Sequence, residues 1–368
     1  MKLAILNDSG LNGGGAETRL RQLLEHWTSS KFIEDFLVLD REALKGDWIK
    51  TLKTFNPNLI QAHNLLDTGP SVFKTIARKV SKPIVWFAHD FWPICGRRLL
   101  FDYNERRCDG PSLIKCSQCI GPSSTLRERL FSRFFEYVNL GITQTQSVCD
   151  ILNKHRIHPK KWFVATPWID NDYFSENSNR KVSIANSPQL LYIGPLTKAK
   201  GADLAIETFA KVLEVFPKAN LHMVGGEAYH GTWARQLAAN LEVEQSIIWK
   251  PRLDKTELLK EYQNTDLLLF TSNGEEPFGL VWAQGLAAGS PVVLLETKSI
   301  SETVPAEIAW LAKSRNDFTV SSINALLDEK TRNQKVIKAK AYANRFRLSQ
   351  SVGLLEEKYQ FLVKHRAS

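Results

Sequence analysis

Short apolar runs that alternate with amphipathic segments constrain the fold of this chain more than any other feature. Ten such runs are spread over the two halves: KLAILNDS, FLVLD, NLIQAHN, PIVWFAHD, NLGITQTQ, QLLYIGP, ANLHMVGG, SIIWK, TDLLLFTS and SPVVLLE. The segments between them, such as AETRLRQLLEHW and ADLAIETFAKVLEVF, have helical periodicity. This alternation predicts βαβ units with a parallel sheet in each half, and therefore an α/β fold.

The length of the chain predicts two domains. It has 368 residues, more than one hydrophobic core usually supports. The polar stretch NDYFSENSNRKVSIANS at 171–187 lacks periodicity and is predicted to be a linker. We expect one Rossmann-like domain at 1–170, with a cysteine-rich insert at 95–119, and a second at 188–345. The two are expected to face each other across a cleft, with a final helix at 346–368.

Composition and charge narrow the class of protein. Hydrophobic residues make up 43% and charged residues 24%, as in soluble globular proteins. The net charge is +9, and residues 1–180 hold 25 Lys and Arg against 19 Asp and Glu, so +6 of the excess lies there. This asymmetry favours an anionic partner, such as a lipid surface, a phosphate or a nucleic acid. A basic, solvated surface without a partner is the alternative.

The N-terminus MKLAILNDSG enters a strand directly and lacks the apolar core and cleavage site of a signal peptide. Moreover, no apolar run approaches the ~20 residues that span a bilayer. We therefore expect a cytoplasmic protein. Five cysteines in so long a chain do not suggest a disulfide framework.

A glycine-rich loop follows the first strand, in NDSGLNGGGAETRL. Gly14 and Gly15 let the backbone approach a ligand, and the helix that follows offers N–H groups to an anion. Thr18 stands where a dinucleotide fingerprint has its third glycine, so an NAD-type site is disfavoured. A purely structural turn is the alternative.

Two histidines come at the ends of predicted strands. PIVWFAHD ends in His89 and Asp90, and LIQAHN places His63 at a similar strand end. In open α/β sheets ligands bind outside the carboxyl ends of the strands, so this position favours a functional role for His89, with His63 second. A satisfied structural histidine is the alternative.

Charged residues follow two strands of the second half. In LLYIGPLTKAKGADL, Lys198 and Lys200 precede a helix, where ammonium groups and the helix dipole suit a diphosphate. In TDLLLFTSNGEEPFG, Glu275 and Glu276 lie between a strand and a helix, and Gln284 is polar within that helix. A solvated loop is the alternative for the lysines.

Taken in order, these motifs resemble glycosyltransferase family four. The set comprises GGGAE, His89, G-x-L-x-x-x-K-G at 194–201, and E-P-F-G-L-V with a polar residue eight positions after its glutamate, so the similarity covers nearly the whole chain. The resemblance implies a GT-B fold and retaining transfer of a hexose from a UDP- or GDP-linked sugar without a catalytic metal. It also implies that SVGLLEEKYQFLV is the helix that crosses back to the N-terminal domain.

The resemblance assigns roles to individual residues. Glu276 matches the glutamate that contacts the hydroxyls of the donor sugar, Lys200 the lysine that neutralises the diphosphate, and His89 the histidine near the transferred sugar. The predicted catalytic residues are His89 and Glu276, and the predicted donor-binding residues are Gly14, Gly15, Lys198, Lys200, Phe278, Gly279, Leu280 and Gln284.

Two positions depart from the family pattern. Gln284 replaces the second glutamate, which accepts from the ribose, and Pro195 replaces the arginine that follows Gly194. A glutamine carbonyl accepts one hydrogen bond but is neutral, and proline supplies no phosphate donor. Two alternatives therefore stay open: a non-catalytic binding or scaffold protein of the same fold, and a nucleotide-sugar epimerase.

Four cysteines cluster in the first half. Cys95, Cys108, Cys116 and Cys119 end in a C-x-x-C pair, which together predict a structural zinc site. Four unligated thiols are the alternative, and Cys149 is expected to be buried.

The segment STLRERLFSRFFEYV predicts a basic amphipathic helix. Its apolar face is predicted to hold Leu126, Leu130, Phe131, Phe134 and Phe135, with Arg127, Arg129 and Arg133 elsewhere. Such a helix can lie on an anionic membrane, with a core-facing helix as the alternative. The predicted partners are a nucleotide sugar and a glycan or lipid-linked acceptor, without nucleic acid. We expect peripheral contact with the inner membrane face through the basic N-terminal half.

Overall fold

A computed structural model describes residues 1–121, 126–174, 187–225 and 231–365 of the chain. The chain forms two compact units. Unit 1 comprises Met1–Trp168 together with Leu348–Ser368, and unit 2 comprises Ile169–Arg347.

Helices and strands are numbered along the chain. The strands of the described residues are β1 (Lys2–Leu6), β2 (Asp35–Leu39), β3 (Leu59–Ala62), β4 (Ile84–Phe87), β5 (Leu140–Thr143), β6 (Trp162–Val164), β7 (Gln189–Ile193), β8 (Asn220–Val224), β9 (Ile247–Lys250), β10 (Leu267–Phe270), β11 (Val292–Leu295) and β12 (Trp310–Ala312). The helices are α1 (Gly15–Ser29), α2 (Trp48–Phe55), α3 (Ser71–Lys79), α4 (Leu113–Ile120), α5 (Arg127–Ser132), α6 (Gln146–Lys154), α7 (Ala202–Val215), α8 (Gly231–Asn240), α9 (Lys255–Asn264), α10 (Leu280–Ala288), α11 (Lys298–Thr303), α12 (Arg315–Leu327), α13 (Glu329–Ala343), α14 (Leu348–Ser351) and α15 (Gly353–Lys364).

Unit 1 is built on a parallel sheet with strand order β2-β1-β3-β4-β5-β6. Alternate residues of each strand enter two different cores: Ala4 and Leu6 pack in one, and Leu3 and Ile5 in the other. Because apolar side chains are buried on both faces, the central strands read as continuous apolar runs. The strand order reverses between β1 and β3. The glycine loop and His63, which follow these two strands, therefore lie at the switch point of this sheet.

Unit 2 is built in the same way, with strand order β12-β11-β10-β7-β8-β9, all parallel. Leu190 and Tyr192 face one core and Leu191 the other. Here the order reverses between β7 and β10. The loops that follow these two strands therefore meet at the switch point of the sheet, where open α/β sheets bind ligands.

The predicted α/β architecture is confirmed, since each of the ten apolar runs contains a strand of a parallel sheet. The sequence pattern missed β6 and β12. Each has three residues, most of them only half-buried, so neither has a long enough apolar run to stand out.

The predicted linker at 171–187 lies mostly outside the described residues, which omit 175–186. Its first four residues, Asn171–Phe174, form a 3-10 helix, and Tyr173 is buried in a core of unit 2. These four residues therefore pack with unit 2.

The prediction of one long amphipathic helix over STLRERLFSRFFEYV is wrong. Ser124 and Thr125 lie outside the described residues; α5 ends at Ser132, and a 3-10 turn at Phe135–Tyr137 follows. Leu126 and Leu130 are exposed, whereas Phe135 is fully buried against Trp86 and Trp92. Packing of this aromatic group turns the chain before one helical face can form. No helix of the described residues is long and apolar enough to cross a membrane.

Candidate active site

The loop between β7 and α7 carries Lys200 on a tight backbone. The Thr197 hydroxyl accepts a hydrogen bond from the Lys200 N–H and caps a 3-10 turn at Lys198–Lys200. Gly201 ends this turn at φ +73°, and a Cβ there would lie 1.8 Å from the Thr271 carbonyl oxygen. Only glycine lets the two backbones come so close.

Hydrogen bonds join this loop to the loop between β10 and α10. The backbone N–H groups of Asn273 and Gly274 both donate to the Ala199 carbonyl at 2.9 Å. The side-chain amide of Asn273 donates to the Lys198 carbonyl at 2.8 Å. The two loops therefore form one rigid surface at the switch point of the sheet.

Lys200 and Glu276 form an ion pair on this surface. The Ser272 hydroxyl donates to the same Glu276 oxygen at 2.8 Å. The Glu276 side chain is 11% exposed and that of Lys200 26%, so both are largely shielded from water but still accessible. The pair combines a cation suited to phosphate oxygens with a carboxylate suited to hydroxyl donors.

Glu275 has a different environment from its neighbour. Its buried carboxylate accepts from the Ser299 N–H at 3.4 Å, near the N-terminus of α11. A carboxylate at a helix N-terminus is stabilised by the helix dipole. Of the two adjacent glutamates, the structure therefore brings only Glu276 together with Lys200.

The turn before α10 is held by aromatic packing. Phe278 is buried against Trp282, whose indole N–H donates to the Phe278 carbonyl at 2.6 Å. Gly279 lies at φ +86°, and Leu280 is the first residue of α10. The N-terminus of α10 thus begins beside the Lys200–Glu276 pair, and its first-turn N–H groups add positive potential there.

Gln284 lies one helical turn further along α10. Its side-chain oxygen Oε1 accepts from the Tyr262 hydroxyl at 3.1 Å. Burial raises the pKa of Tyr262 well above its ordinary value, so this hydroxyl keeps its proton. The oxygen that was predicted to accept from a ribose is thus engaged inside unit 2.

Pro195, the other departure from the family pattern, also takes part in an internal hydrogen bond. Its carbonyl accepts from the Tyr192 hydroxyl at 2.8 Å. The Lys198 ammonium lies 6.0 Å from the centre of the Trp233 ring, where the face of the ring attracts a cation.

A cavity of about 300 Å³ lies at the carboxyl ends of β7, β8 and β9. It is lined by Leu196, Met223, Gly225, Trp249, Lys250 and Pro251, and its exposed wall is mostly apolar. A Cβ at Gly225 would lie 2.0 Å from the Gly194 carbonyl oxygen, so glycine is needed for these two loops to meet. A mostly apolar cavity with few polar groups is typical of a small-molecule site. This cavity was not predicted from the sequence.

In unit 1 the glycine loop is hydrogen-bonded to a glutamate of the helix that follows it. The Gly14 N–H donates to the Glu17 carboxylate at 2.9 Å, and the Asn7 side chain also donates to Glu17. The Gly14 N–H is therefore engaged by Glu17, whereas the predicted anion contact with the N–H groups of α1 stays a prediction. Gly13, Gly14 and Gly15 are exposed.

His89 lies at the end of a row of hydrogen-bonded side chains. His63 Nδ1 is 2.7 Å from His89 Nε2, and His63 Nε2 is 2.7 Å from Gln61 Nε2. The Tyr359 hydroxyl, on α15, donates to Gln61 Oε1 at 2.6 Å. The two histidines were predicted as candidates from the sequence, but Gln61 and Tyr359 were not, because Gln61 lies inside an apolar run and Tyr359 is 298 residues away from it.

Arg19 is a buried charge beside the two histidines that the sequence reading also missed. It lies on α1 over the Trp168 ring, 4.4 Å from the ring centre. Burial lowers the pKa of Arg19 to about 9. Burial, and then the charge of Arg19, lowers the pKa of His63 to about 3, and burial also lowers that of His89 well below its ordinary value. Both imidazoles are therefore neutral at physiological pH.

The structure does not bring the four clustered cysteines together as a metal site. No three His, Cys, Asp or Glu side chains of the described residues are grouped to hold a metal ion. The Cys108 thiol donates to the Gly110 carbonyl at 3.2 Å, and Cys116 accepts from the Ser112 N–H. Burial raises the pKa of Cys95 and Cys108, which disfavours the thiolates that zinc requires. The zinc prediction is therefore not supported, whereas Cys149 is buried as predicted.

The two parallel sheets, with the site at the switch point of the second, define a GT-B glycosyltransferase fold. Solved structures agree: the chain superposes on Anabaena Alr3699/HepE in complex with UDP and glucose with a TM-score of 0.76 at 17% identity, over 98% of this chain and 100% of that one. It superposes on WaaG, a glycosyltransferase involved in lipopolysaccharide biosynthesis, with a TM-score of 0.69 at 17% identity, over 99% of this chain and 100% of that one.

Within this fold, residues 174–342 match the family model described as glycosyl transferases group 1. A D-inositol 3-phosphate glycosyltransferase of Corynebacterium efficiens is 25% identical over 233 residues, 58% of this chain and 52% of that protein. A D-inositol 3-phosphate glycosyltransferase of Geodermatophilus obscurus is 28% identical over 156 residues, 39% of this chain and 34% of that protein. The chain thus spans about half or less of the length of these relatives.

Proposed function

We propose that this chain is a retaining hexosyltransferase that moves a sugar from a UDP- or GDP-linked donor to a cell-surface polysaccharide or glycolipid. The observation that carries the proposal is the Lys200–Glu276 pair at the switch point of the unit 2 sheet, within the segment that matches the glycosyl transferases group 1 model. A nucleotide sugar presents a diphosphate and sugar hydroxyls side by side, which a paired cation and carboxylate match.

The chemistry follows from the leaving group. As the sugar departs, negative charge grows on the diphosphate, and the Lys200 ammonium together with the N–H groups of α10 stabilises that charge in the transition state. Glu276 accepts from the sugar hydroxyls and orients the ring. The mostly apolar cavity next to β7–β9 suits the nucleotide base. The complexes of HepE with UDP and with UDP-glucose support a uridine nucleotide as the donor.

The lipopolysaccharide role of WaaG supports a cell-surface acceptor. The engaged oxygen of Gln284 supports a donor held with weaker ribose contact than a carboxylate provides. A scaffold that binds no nucleotide is the competing function, and the same feature favours it. No feature of the described residues favours the epimerase.

Calorimetry with UDP, GDP and ADP, followed by turnover of the matching nucleotide sugars, tests the proposal. Binding of one nucleotide is expected, and Glu276→Ala should lower turnover about 10- to 100-fold, since hydrogen bonds to charged groups contribute about 1.5–3 kcal/mol. The matched control is Glu307→Ala, which removes an exposed carboxylate of unit 2. Failure of all three nucleotides to bind the folded chain would leave the scaffold, and unchanged turnover in Glu276→Ala would remove Glu276 from the mechanism.

We further propose peripheral contact with an anionic membrane, at the inner face of the cytoplasmic membrane, through α4 and α5. Leu113 and Ile114 of α4 are 59% and 74% exposed, and Leu130 of α5 is 45% exposed. Residues 95–133 hold eight Lys and Arg against four Asp and Glu. Exposed aliphatic side chains among arginines are what binding to anionic lipid headgroups requires.

Co-sedimentation with vesicles tests this contact. Binding to vesicles that contain phosphatidylglycerol, and not to phosphatidylcholine alone, is expected. The variant Ile114→Ser/Leu130→Ser should lose most of it. The control is Ile337→Ser, which removes an aliphatic side chain of unit 2 that is 72% exposed. Equal binding by the double variant and the control would contradict the assignment to α4 and α5.

A further inference from the structure

A row of four hydrogen-bonded side chains in unit 1 links α15 to His89. We propose that Tyr359 and Gln61 are positioning residues which, through His63, hold the imidazole of His89 in the tautomer that carries its proton on Nδ1. The three links are 2.6 Å from Tyr359 to Gln61, 2.7 Å from Gln61 to His63, and 2.7 Å from His63 to His89.

Tyr359 determines which group donates and which accepts in each hydrogen bond of the row. This side chain is fully buried, and burial raises its pKa well above the ordinary value, so the hydroxyl keeps its proton. Within the described residues, Gln61 is the one hydrogen-bond partner of that hydroxyl. If the hydroxyl accepted from the amide instead, its own hydrogen would be left unpaired in the core, which is costly. Tyr359 therefore donates, and Gln61 must turn its oxygen towards it.

The remaining bonds follow in order. The Gln61 amide nitrogen then faces His63 and donates to His63 Nε2. A neutral imidazole has one N–H, so the proton of His63 is on Nδ1 and is donated to His89 Nε2. By the same rule the proton of His89 is on Nδ1. The two ring planes are nearly parallel, at 7°, and their centres are 5.0 Å apart, as expected for rings that lie side by side and share an N–H···N bond in their common plane.

The consequence is a defined chemical character for His89. Its Nδ1 has no hydrogen-bond partner among the described residues and is not enclosed, since the half-buried ring leaves it accessible. His89 therefore offers a neutral N–H donor to a ligand and cannot accept a proton at that atom. The matching ligand atom is a hydroxyl or phosphate oxygen. Under the proposed function, on which this last step rests, that oxygen belongs to the nucleotide sugar.

Nitrogen-15 NMR of the full chain without substrate tests the tautomer directly. In protein labelled with ¹⁵N-histidine, long-range ¹H–¹⁵N correlations distinguish protonated from unprotonated ring nitrogens, and the variants His63→Gln and His89→Gln assign the signals. We expect protonated Nδ1 and unprotonated Nε2 in both rings at neutral pH. A protonated Nε2 in His89, or an average of both tautomers, would overturn the proposal.

Two variants test the positioning residues. Tyr359→Phe removes only the hydroxyl, and Gln61→Leu removes the amide; each is expected to convert His89 into a mixture of tautomers. Tyr137→Phe, which removes a hydroxyl from a partly buried ring in another core of unit 1, should leave the His89 signals unchanged. An unchanged tautomer in either folded test variant would contradict the role of that residue. If neither variant folds, the wild-type spectrum still decides between the two tautomers.

Activity separates this inference from the proposed function. An equal mixture of tautomers leaves half of the molecules competent, so Tyr359→Phe should lower kcat about twofold. An inactive wild-type chain with Nδ1-protonated His89 would contradict the proposed function and support the tautomer inferred from the hydrogen-bonded row. An active chain in which Tyr359→Phe leaves the His89 tautomer unchanged would support the proposed function and contradict the positioning role of Tyr359.

Discussion

Two buried tyrosine hydroxyls orient two glutamine side chains, one in each unit. Tyr359 turns the oxygen of Gln61 away from His63, and Tyr262 draws the oxygen of Gln284 into the core of unit 2. An amide has a donor end and an acceptor end, so a single hydroxyl decides which end remains for the site. At this scale the chemistry depends on an atom that belongs to a neighbouring element.

Restoring a carboxylate at position 284 tests this effect on nucleotide binding. In Gln284→Glu one carboxylate oxygen keeps the Tyr262 hydroxyl and the other becomes free to accept from a ribose. We expect nucleotide binding to tighten by about 1 kcal/mol, the difference between a neutral and a charge-assisted hydrogen bond, as measured by calorimetry. Gln334→Glu, which adds the same charge at an exposed position of α13, should have no effect. Equal affinity in both variants would show that position 284 does not contact the nucleotide.

At the scale of elements, the site depends on the close approach of the loops after β7 and β10. Gly201 makes this approach, since its φ of +73° and the 1.8 Å separation between an added Cβ and the Thr271 oxygen both exclude larger residues. The hydrogen bonds to Ala199 then hold the loops together. The Lys200–Glu276 pair is thus positioned by backbone packing between two βα units.

A pair of glycine substitutions separates backbone strain from steric contact. Gly69→Ala introduces a side chain at φ +80°, where no heavy atom of the described residues lies within 4 Å, so it should cost about 1–2 kcal/mol of unfolding free energy. Gly201→Ala adds the clash with Thr271 to similar strain and should cost at least ~2 kcal/mol more. Urea denaturation measures both. Equal losses in the two variants would mean that the loops separate without cost.

At the scale of the whole molecule, unit 1 carries two neutral histidines beside a buried arginine. Burial lowers the pKa of His63 to about 3, and Arg19 adds to this shift. In the unfolded chain the same group titrates near 6.5. Between pH 6.5 and 3 the unfolded state therefore binds a proton that the folded state does not, so stability falls as the pH falls through this range. The pKa of His89 is also lowered by burial, so His89 likewise decreases the stability as the pH falls.

This linkage predicts a measurable slope. Between pH 6 and 4 the free energy of unfolding should decrease by up to about 1.4 kcal/mol per pH unit for each such histidine. His63→Gln should flatten the slope even if it lowers stability at every pH. His158→Gln, which removes an exposed histidine of unit 1, is the matched control for the loss of a histidine side chain. Urea unfolding at a series of pH values gives the comparison, and identical slopes for wild type and His63→Gln would rule out His63 as the source.

Much of the architecture could be predicted from the sequence because it is encoded locally. Buried parallel strands are continuous apolar runs, and the turns that follow them carry Gly, Lys and Glu within a few residues. The α/β fold was therefore predicted from short windows, and the same windows give Lys200, Glu276 and His89 as candidate site residues. The strands β6 and β12 were missed because three half-buried residues give no periodic signal.

Tertiary structure alone decided which atoms meet. The sequence by itself determined the two parallel sheets and the loops that carry the charged groups, since these depend on neighbours along the chain. It did not determine that Tyr359 reaches Gln61, that Tyr262 holds Gln284, or that the four cysteines form no metal site among the described residues. Such contacts join residues of different elements, up to 298 positions apart, and hydrogen bonds require placement to within a few tenths of an ångström. Only the packing of helices on the sheets supplies that precision.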